Sequence, residues 1–148
     1  MTKALNIRPA SPDDLQAILI LLEESQLPAV DLTVNSLANF HIAEAENGEV
    51  AGVAGLDKAG SRGLLRSLAV APRYRGKGVA EQLVLQCETS ALIAGVYEIY
   101  LLTLTAKNFF RRLGYQVLSR EVVPREIAVH QQFQSLCPAS AECLGKRL

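Results

Sequence analysis

The stretch Leu64–Ala80, LLRSLAVAPRYRGKGVA, constrains the fold more than any other part of the chain. An apolar run is followed by a proline turn, a basic loop with two glycines and the start of a long helical pattern. Gly76 and Gly78 have no side chain, so a ligand can approach the backbone closely. The following helix directs its unpaired amide N–H groups and the positive end of its dipole at this loop. Positive charge is added by Arg73, Arg75 and Lys77. The order of strand, glycine loop and helix predicts a phosphate-binding site.

Length and charge limit the classes of protein that fit. The 148 residues, 49% of them hydrophobic, suit a single domain spanning 1–148. Fifteen acidic and fifteen basic residues balance, so no nucleic-acid partner is expected. No apolar run has the length of a membrane span, and no membrane partner is expected.

The cysteine count and the first residues predict a cytoplasmic location. Three cysteines, Cys87, Cys137 and Cys143, are an odd number without framework spacing, which indicates free thiols in a reducing compartment. The opening residues, MTKALNIRPASPDD, lack the apolar core of a secretory signal.

Local patterns in the first half predict strand, helix and hairpin in that order. A short strand is expected at Leu5–Arg8, and Ser11 followed by Pro12 starts a helix that ends near Ser25. A short helix is expected at Asp31–Leu37. Asn47-Gly48 then joins two extended runs, Phe40–Glu46 and Glu49–Gly55, into a hairpin.

The second half predicts a strand–helix–strand crossover followed by smaller elements. Leu64–Val70 is apolar enough for a central strand, Val79–Ala94 for a helix and Tyr97–Leu104 for a parallel partner strand. The later elements are expected as a helix at Ala106–Leu113, a strand at Tyr115–Ser119, a helix at Pro124–Phe133 and a strand at Ala141–Leu148. The predicted class is α/β: a mixed, mostly antiparallel sheet with one parallel βαβ crossover and helices on both faces.

Two sequence blocks resemble those of the GNAT superfamily of acetyl-CoA-dependent N-acetyltransferases. The first, Arg75-Gly-Lys-Gly78-Val-Ala80, matches the family pattern Arg/Gln-x-x-Gly-x-Gly/Ala and follows Leu68-x-Val70-x-Pro72. The second runs from Thr103 through Ala106, Phe109, Phe110 and Gly114 to Tyr115. The blocks occur in the family's order and separation, and the resemblance covers most of the chain.

The resemblance implies a fold, a co-substrate and the residues that bind it. The expected fold is the acyl-CoA N-acyltransferase fold, in which the central strand and its parallel neighbour splay apart. The co-substrate is acetyl-CoA, the acceptor is a small-molecule amine approaching across Leu64–Leu68, no metal is expected, and members often form homodimers.

The pyrophosphate would be held by backbone amides of Arg75, Gly76, Lys77, Gly78, Val79 and Ala80. The pantetheine arm would add to the sheet through backbone groups of Leu68, Ala69 and Val70. Thr103, Phe109 and Phe110 complete the expected cofactor-binding set.

The chain also resembles acetyltransferases encoded in arsenic-resistance operons. The similar segments are GLLRSLAVAP, YLLTLTAKNFFRRLGY and the tail FQSLCPASAECLGKRL. This resemblance implies an acceptor with the α-amine of a small amino acid, or an amino-acid-like arsenical or phosphinate. Amino-acid acetyltransferases of arginine synthesis have a similar tail, so glutamate-like acceptors fit as well.

Two departures from the family pattern affect catalysis. Phe110 stands where many members have a tyrosine that protonates the departing thiolate, and Thr103 stands where an asparagine is common. The strand Leu64–Val70 carries no carboxylate, so a water relayed by Ser67 or a backbone carbonyl is the expected route for the proton. The alternative hypothesis is a non-catalytic acyl-CoA-binding regulator on the same fold.

Several charged or reactive side chains have two interpretations. Arg66, midway along an apolar strand, would bind a substrate carboxylate or form an internal ion pair with Glu44, Glu46 or Glu49. Lys107, Arg111 and Arg112 would neutralise the ribose phosphate of CoA or form a solvated helix face. Cys137 and Cys143 are expected to be small buried hydrophobes rather than ligands. The histidines, His41 and His130, are expected to be structural or at the surface.

Overall fold

The computed structural model describes residues 5–148, with positions 135 and 136 described by their backbone alone. The first four residues of the segment searched for a secretory signal therefore lie outside the described residues. The strands are β1 Asn6–Pro9, β2 Phe40–Glu44, β3 Val50–Ala59, β4 Arg62–Val70, β5 Glu98–Thr103, β6 Gln116–Leu118 and β7 Glu142–Arg147. The α-helices are α1 Leu15–Glu24, α2 Val79–Ile93, α3 Lys107–Arg112 and α4 Arg125–Ala128. Shorter 3₁₀ turns lie at Pro12–Asp14, Val34–Asn39, Pro72–Tyr74 and Arg120–Val122, and a π-helix at Gln132–Leu136. Within residues 5–148, no helix combines the length and apolar character needed to cross a bilayer.

The seven strands hydrogen-bond in the order β1-β2-β3-β4-β5-β7-β6. β4 and β5 are parallel, joined through α2, whereas the registers described for β1–β2, β2–β3, β5–β7 and β6–β7 are antiparallel. The predicted mixed sheet with one parallel crossover is therefore confirmed.

The chain divides into two compact units, with a boundary that cuts β3 after Leu56 and β4 after Arg66. The first unit contains the chain up to Leu56 together with Ser67–Ser90, and the second contains Asp57–Arg66 and Ala91–Leu148. The expectation of one domain over 1–148 stays a prediction.

In the first unit, α1 buries one face against the first strands. Ile18 and Leu22 pack with Phe40 and Ile42 of β2 and with Val53 of β3. The helix begins after a 3₁₀ turn at which the backbone amide of Ser11 donates to Asp14 Oδ2 at 2.7 Å, so the predicted start is confirmed. The short helix expected at Asp31–Leu37 is a 3₁₀ turn at Val34–Asn39.

The Asn-Gly hairpin is also part of the first unit. The Ala45 amide donates to the Glu49 carbonyl, and Gly48 takes a left-handed φ of 84° in the turn. A Cβ on Gly55 would collide with the ring of Phe40, so this glycine lets the core ring pack against the neighbouring strand.

In the second unit, a small core surrounds Leu64. Val123, Ile127 and Cys143 are buried around it, and the partly buried hydrophobics Tyr100, Leu102, Leu118 and Phe133 pack against them. The strands expected at Tyr115–Ser119 and Ala141–Leu148 are β6 and β7.

The helix expected over Pro124–Phe133 is wrong in its length. It begins after Pro124 as predicted, but α4 ends at Ala128. The backbone amide of Gln132 donates to Nδ1 of His130 at 3.0 Å, and the Gln134 side-chain amide donates to the Ala128 carbonyl at 2.9 Å. These local side-chain bonds replace the backbone ladder of a continuous helix.

Candidate active site

The glycine loop between β4 and α2 is open to solvent. Residues 75–78 are exposed, and Gly76 and Gly78 have φ values of 75° and 79°. Both values lie in the left-handed region, which costs glycine nothing and other residues about 1–2 kcal/mol. Apart from each glycine and its two chain neighbours, no heavy atom of residues 5–148 lies within 4 Å of a Cβ built on Gly76 or Gly78. The backbone of this loop is therefore accessible to a ligand.

The N-terminus of α2 supplies hydrogen-bond donors at the same loop. The amide of Gln82 donates to the Gly78 carbonyl at 3.1 Å, which is the first bond of the helix. The amides of Val79 and Ala80 consequently have no intrahelical acceptor, and Gly78 has no side chain with which to cap them. Donors and helix dipole together make this end suitable for an anion.

The three basic side chains of the loop have different surroundings. Arg75 donates from Nε to the Val70 carbonyl at 2.9 Å, which ties the loop to the end of β4. Arg73 is ion-paired with Glu49. The Arg73 guanidinium and the Lys77 ammonium lie 5.2 and 6.0 Å from the centre of the Tyr74 ring. The charge of Arg73 is thus partly neutralised by the protein itself.

Ser67 marks an irregularity in β4. Its φ is 60°, one of two positive values among the described non-glycine residues. Such a conformation within a strand costs of order 1–3 kcal/mol and is concentrated at functional sites. The next residues, Leu68 and Val70, are partly buried, and Ala69 is buried. The predicted relay residue therefore lies where the strand departs from regular geometry.

In the second unit, the parallel pairing is short. Its described register runs from Arg62 opposite Glu98 to Leu64 opposite Tyr100. On its other edge, β5 stays paired with β7 as far as Thr103. The Thr103 hydroxyl oxygen accepts a hydrogen bond from the Ala106 amide at 3.0 Å and thereby shapes the turn into α3. That hydroxyl can still donate its own proton.

The two phenylalanines of the second block belong to an aromatic cluster. Phe110 is 5% exposed and makes edge contacts with Phe109 and Tyr115, at centroid distances of 5.0 and 5.5 Å. Phe109 is only partly buried. Phe110 thus has a packing role that accounts for its burial.

Arg66 has an internal carboxylate partner that the sequence analysis did not name. Its Nη1 donates to Asp57 Oδ2 at 3.0 Å, and His130 Nε2 donates to the same oxygen at 2.7 Å. The side chain of Arg66 is 2% exposed, that of Asp57 26% and that of His130 21%. Burial alone would raise the pKa of Asp57, but the hydrogen bond from His130 and the charge of Arg66 outweigh it and lower that pKa. Asp57 is therefore ionised at neutral pH.

Two of the glutamates proposed as partners of Arg66 make other contacts. Glu44 pairs with Arg8 and Glu49 with Arg73. Asp57 was missed because the second hairpin strand was predicted to end at Gly55, whereas β3 continues to Ala59. A strand four residues longer would have placed this carboxylate beside β4.

The predicted site residues are divided between the two units. Those of the first unit are Ser67, Leu68, Ala69, Val70, Arg75, Gly76, Lys77, Gly78, Val79 and Ala80, and those of the second are Arg66, Thr103, Phe109 and Phe110. Their assignment as catalytic or cofactor-binding residues stays a prediction.

The fold is that of the acyl-CoA N-acyltransferases. N-acetylglutamate synthase from Neisseria gonorrhoeae, solved with coenzyme A and N-acetylglutamate, superposes with a TM-score of 0.84 at 23% identity, over 100% of this chain and 36% of the synthase. A Mycobacterium tuberculosis protein in complex with CoA gives a TM-score of 0.82 at 20% identity, over 97% and 99% of the two chains. At this identity the likeness establishes the fold.

The sequence comparisons identify the family. Residues 36–117 match the Acetyltransferase (GNAT) domain, and the chain belongs to this family. An uncharacterized N-acetyltransferase of Chlorobaculum tepidum is 40% identical over 63 residues, which are 43% of this chain and 40% of that protein. An amino-acid acetyltransferase of Pseudomonas fluorescens is 27% identical over 135 residues, covering 86% of this chain and 31% of that protein. The chain thus spans less than half the length of these curated relatives.

Proposed function

We propose that this protein is an acetyl-CoA-dependent N-acetyltransferase that acetylates the primary amine of a small molecule. The observation that carries the proposal is the open glycine loop, with two left-handed glycines just before the N-terminus of a 15-residue helix. A pyrophosphate is the anion that such a loop suits best. Membership of the GNAT family and the CoA complexes among the structural neighbours support the same conclusion.

The proposed binding roles follow the sequence predictions. Backbone amides of the segment from Arg75 to Ala80 hold the pyrophosphate, and backbone groups of Leu68, Ala69 and Val70 bond the pantetheine arm. Thr103, Phe109 and Phe110 complete the cofactor-binding set. The short described register between β4 and β5 supports a strand edge with backbone groups available for this purpose.

The proposed reaction is direct attack in a ternary complex. The amine nitrogen attacks the thioester carbonyl, the carbon–sulfur bond breaks, the nitrogen loses a proton to water, and coenzyme A leaves as the thiol. Ser67, at the irregular point of β4, is the proposed relay to that water. Because Phe110 has no proton to donate, solvent protonates the thiolate. Alignment of the reactants supplies most of the acceleration, and acid–base help adds about two to four orders of magnitude in known enzymes.

We further propose an amino acid, or an amino-acid-like arsenical or phosphinate, as the acceptor. The amino-acid acetyltransferase relative and the bound N-acetylglutamate of a structural neighbour support an α-amino acid. The proposed location is the cytoplasm, and the absence of a disulfide among the described cysteines supports it. The homodimer expected from the family stays a prediction.

The test is an assay of thiol release. The protein is incubated with acetyl-CoA and a panel of amino acids, including glutamate, together with amino-phosphinates and an amino-arsenical. Release of free CoA with stoichiometric N-acetylation of one class of amine is the expected result.

The competing function is a non-catalytic acyl-CoA-binding regulator. Phe110, buried where a tyrosine is common in the family, is the observation in its favour. Tight CoA binding by calorimetry, without thiol release for any amine of the panel, would establish this alternative.

A further inference from the structure

In the cluster of Arg66, Asp57 and His130, the carboxylate is partly exposed and the guanidinium is buried. The Arg66 side chain is 2% exposed, whereas the Asp57 and His130 side chains are 26% and 21% exposed. Both described bonds to Asp57 end on Oδ2. An ionised carboxylate has about four acceptor sites, which is more than the two described bonds occupy.

We propose that Asp57 binds the amino group of the acceptor, as an ammonium or as the neutral amine, and that Arg66 and His130 position its carboxylate. This inference rests on the proposed acetyltransferase function. The strand Leu64–Val70 carries no carboxylate, and this inference places one for the acceptor on the neighbouring strand β3.

The charge arrangement favours a cation over an anion as the bound group. An approaching carboxylate would meet the partly exposed Asp57 before the buried guanidinium of Arg66, and like charges repel. An ammonium would meet a carboxylate that is already fixed and ionised. The hydrogen bond from Arg66 to Asp57 starts from a guanidinium that is shielded from water, so it helps to hold this carboxylate in place.

The hydrogen bonds of His130 exclude it as the proton acceptor in this arrangement. Its Nδ1 accepts from the Gln132 amide at 3.0 Å, so Nε2 carries the proton that it donates to Asp57. With both nitrogens engaged, the imidazole orients the carboxylate. Asp57 is left as the group that can contact an amine.

One residue of the cluster directly precedes the irregular residue of β4 in the sequence. Arg66 directly precedes Ser67, whose positive φ marks a strained backbone position. Asp57 thus accepts a hydrogen bond from Arg66, and Arg66 is the sequence neighbour of Ser67, the proposed relay. Because Asp57 lies in β3 and Arg66 in β4, an amine bound by Asp57 would be held by strand residues rather than by a loop.

The first test measures binding without catalysis. The chain has two histidines, so the ring nitrogens of His130 can be followed by NMR in uniformly ¹⁵N-labelled protein and assigned with a His130→Gln variant. Methylammonium chloride is titrated, with tetramethylammonium chloride at equal ionic strength as the non-donating control. The expected result is a saturable shift of His130 Nε2 with methylammonium alone. Equal or unsaturable responses to the two salts would overturn the inference.

The second test uses steady-state kinetics with an acceptor found in the thiol-release assay. Asp57→Asn should raise KM for that amine about tenfold or more, as expected for loss of a charge-assisted hydrogen bond, and leave KM for acetyl-CoA nearly unchanged. Asp57→Glu, which keeps the charge, should recover part of the loss. Equal increases in both KM values would contradict the assignment, and circular dichroism checks that each variant is folded.

The two proposals fail in different ways. Absence of thiol release with every amine would refute the acetyltransferase function, and the methylammonium titration would then decide the role of Asp57 by itself. Thiol release that is unaffected by Asp57→Asn would refute only the role of Asp57.

Discussion

Arg75 donates a hydrogen bond from Nε to the backbone carbonyl of Val70, 2.9 Å away, and so ties the glycine loop to the last residue of β4. Replacing Arg75 by Gln removes this tie and a positive charge beside the proposed pyrophosphate site. We expect CoA affinity to fall about tenfold, because an ordered loop and a charge-assisted contact are both lost. Stability should change by less than about 0.5 kcal/mol, as for other exposed positions. Calorimetric titration with CoA and thermal unfolding measure the two effects.

Arg125→Gln is the matched control for this prediction. Arg125 is an exposed arginine at the start of α4 and is not among the predicted cofactor residues. An equal loss of CoA affinity in both variants would show that net charge, rather than the loop, controls binding.

Gly78 allows the backbone to take a φ of 79° at the entrance to α2. In Gly78→Val, the side chain both strains this conformation and fills the space that the proposed phosphate needs, so we expect CoA binding to be abolished. Gly48→Val is the control, because Gly48 has a φ of 84° in the hairpin turn and is equally open among the described residues. Both variants should lose about 1–2 kcal/mol of stability, but only Gly78→Val should lose CoA binding. Retained affinity in Gly78→Val would refute the loop assignment.

The sequence predicted the parts of the fold that depend on local chemistry. The Asn-Gly turn, the apolar strand Leu64–Val70 and the glycines before α2 each specify their own conformation, whatever the rest of the chain does. The order of these elements then leaves few topologies, because crossovers between parallel strands are right-handed. The conformation of the glycine loop was predictable for the same reason.

What could not be predicted depends on pairing between distant residues. Asp57 and Arg66 are nine residues apart, and their contact requires the length and register of two strands, which hydrophobic patterns define poorly. The early end of α4 depends on the acceptor of the Gln132 amide, which can be the His130 ring or a backbone carbonyl of the preceding turn. Helical periodicity in the sequence does not reveal which acceptor is used.

His41 should make stability depend on pH in the mildly acidic range. It is 7% exposed, and burial lowers its pKa from the usual 6.5. Below about pH 6.5, His41 therefore binds a proton more readily in the unfolded chain than in the folded chain. The free energy of unfolding is consequently unaffected by His41 above that pH and falls as the pH is lowered. The slope can reach about 1.4 kcal/mol per pH unit. Urea unfolding between about pH 7.5 and 5 measures it, and His41→Asn should flatten the curve.

The acidic groups provide an internal check on the His41 prediction. Because the pKa values of Asp14 and Asp57 are lowered, the stability that these two carboxylates contribute to the fold is lost only below about pH 4. That is outside the pH range in which His41 affects stability. Parallel curves for wild type and His41→Asn would show that another group causes the acid dependence.

Arg66→Met separates two roles for Arg66. If Arg66 acts through Asp57, the substitution raises KM for every amine of the panel, whether or not the amine carries a carboxylate. CoA affinity should be unchanged in either case. An increase confined to carboxylate-bearing acceptors would instead support direct binding of a substrate carboxylate by Arg66, which is one of the two interpretations of Arg66 that the sequence leaves open.

The ion pair between Arg66 and Asp57 should show strong coupling in stability. Asp57→Asn takes the described carboxylate away from a guanidinium that is 2% exposed, and a loss of about 3 kcal/mol is expected. Arg66→Met replaces a buried charge by an apolar side chain of similar length and should cost less than about 1.5 kcal/mol. In the Arg66→Met background, Asp57→Asn no longer affects a buried cation, so its cost should fall by about 2 kcal/mol. Urea unfolding of the wild type, both single variants and the double variant at neutral pH completes the cycle. Additive costs would mean that solvent screens Arg66 more effectively than its burial indicates, and the argument that Arg66 holds Asp57 in place would then fail.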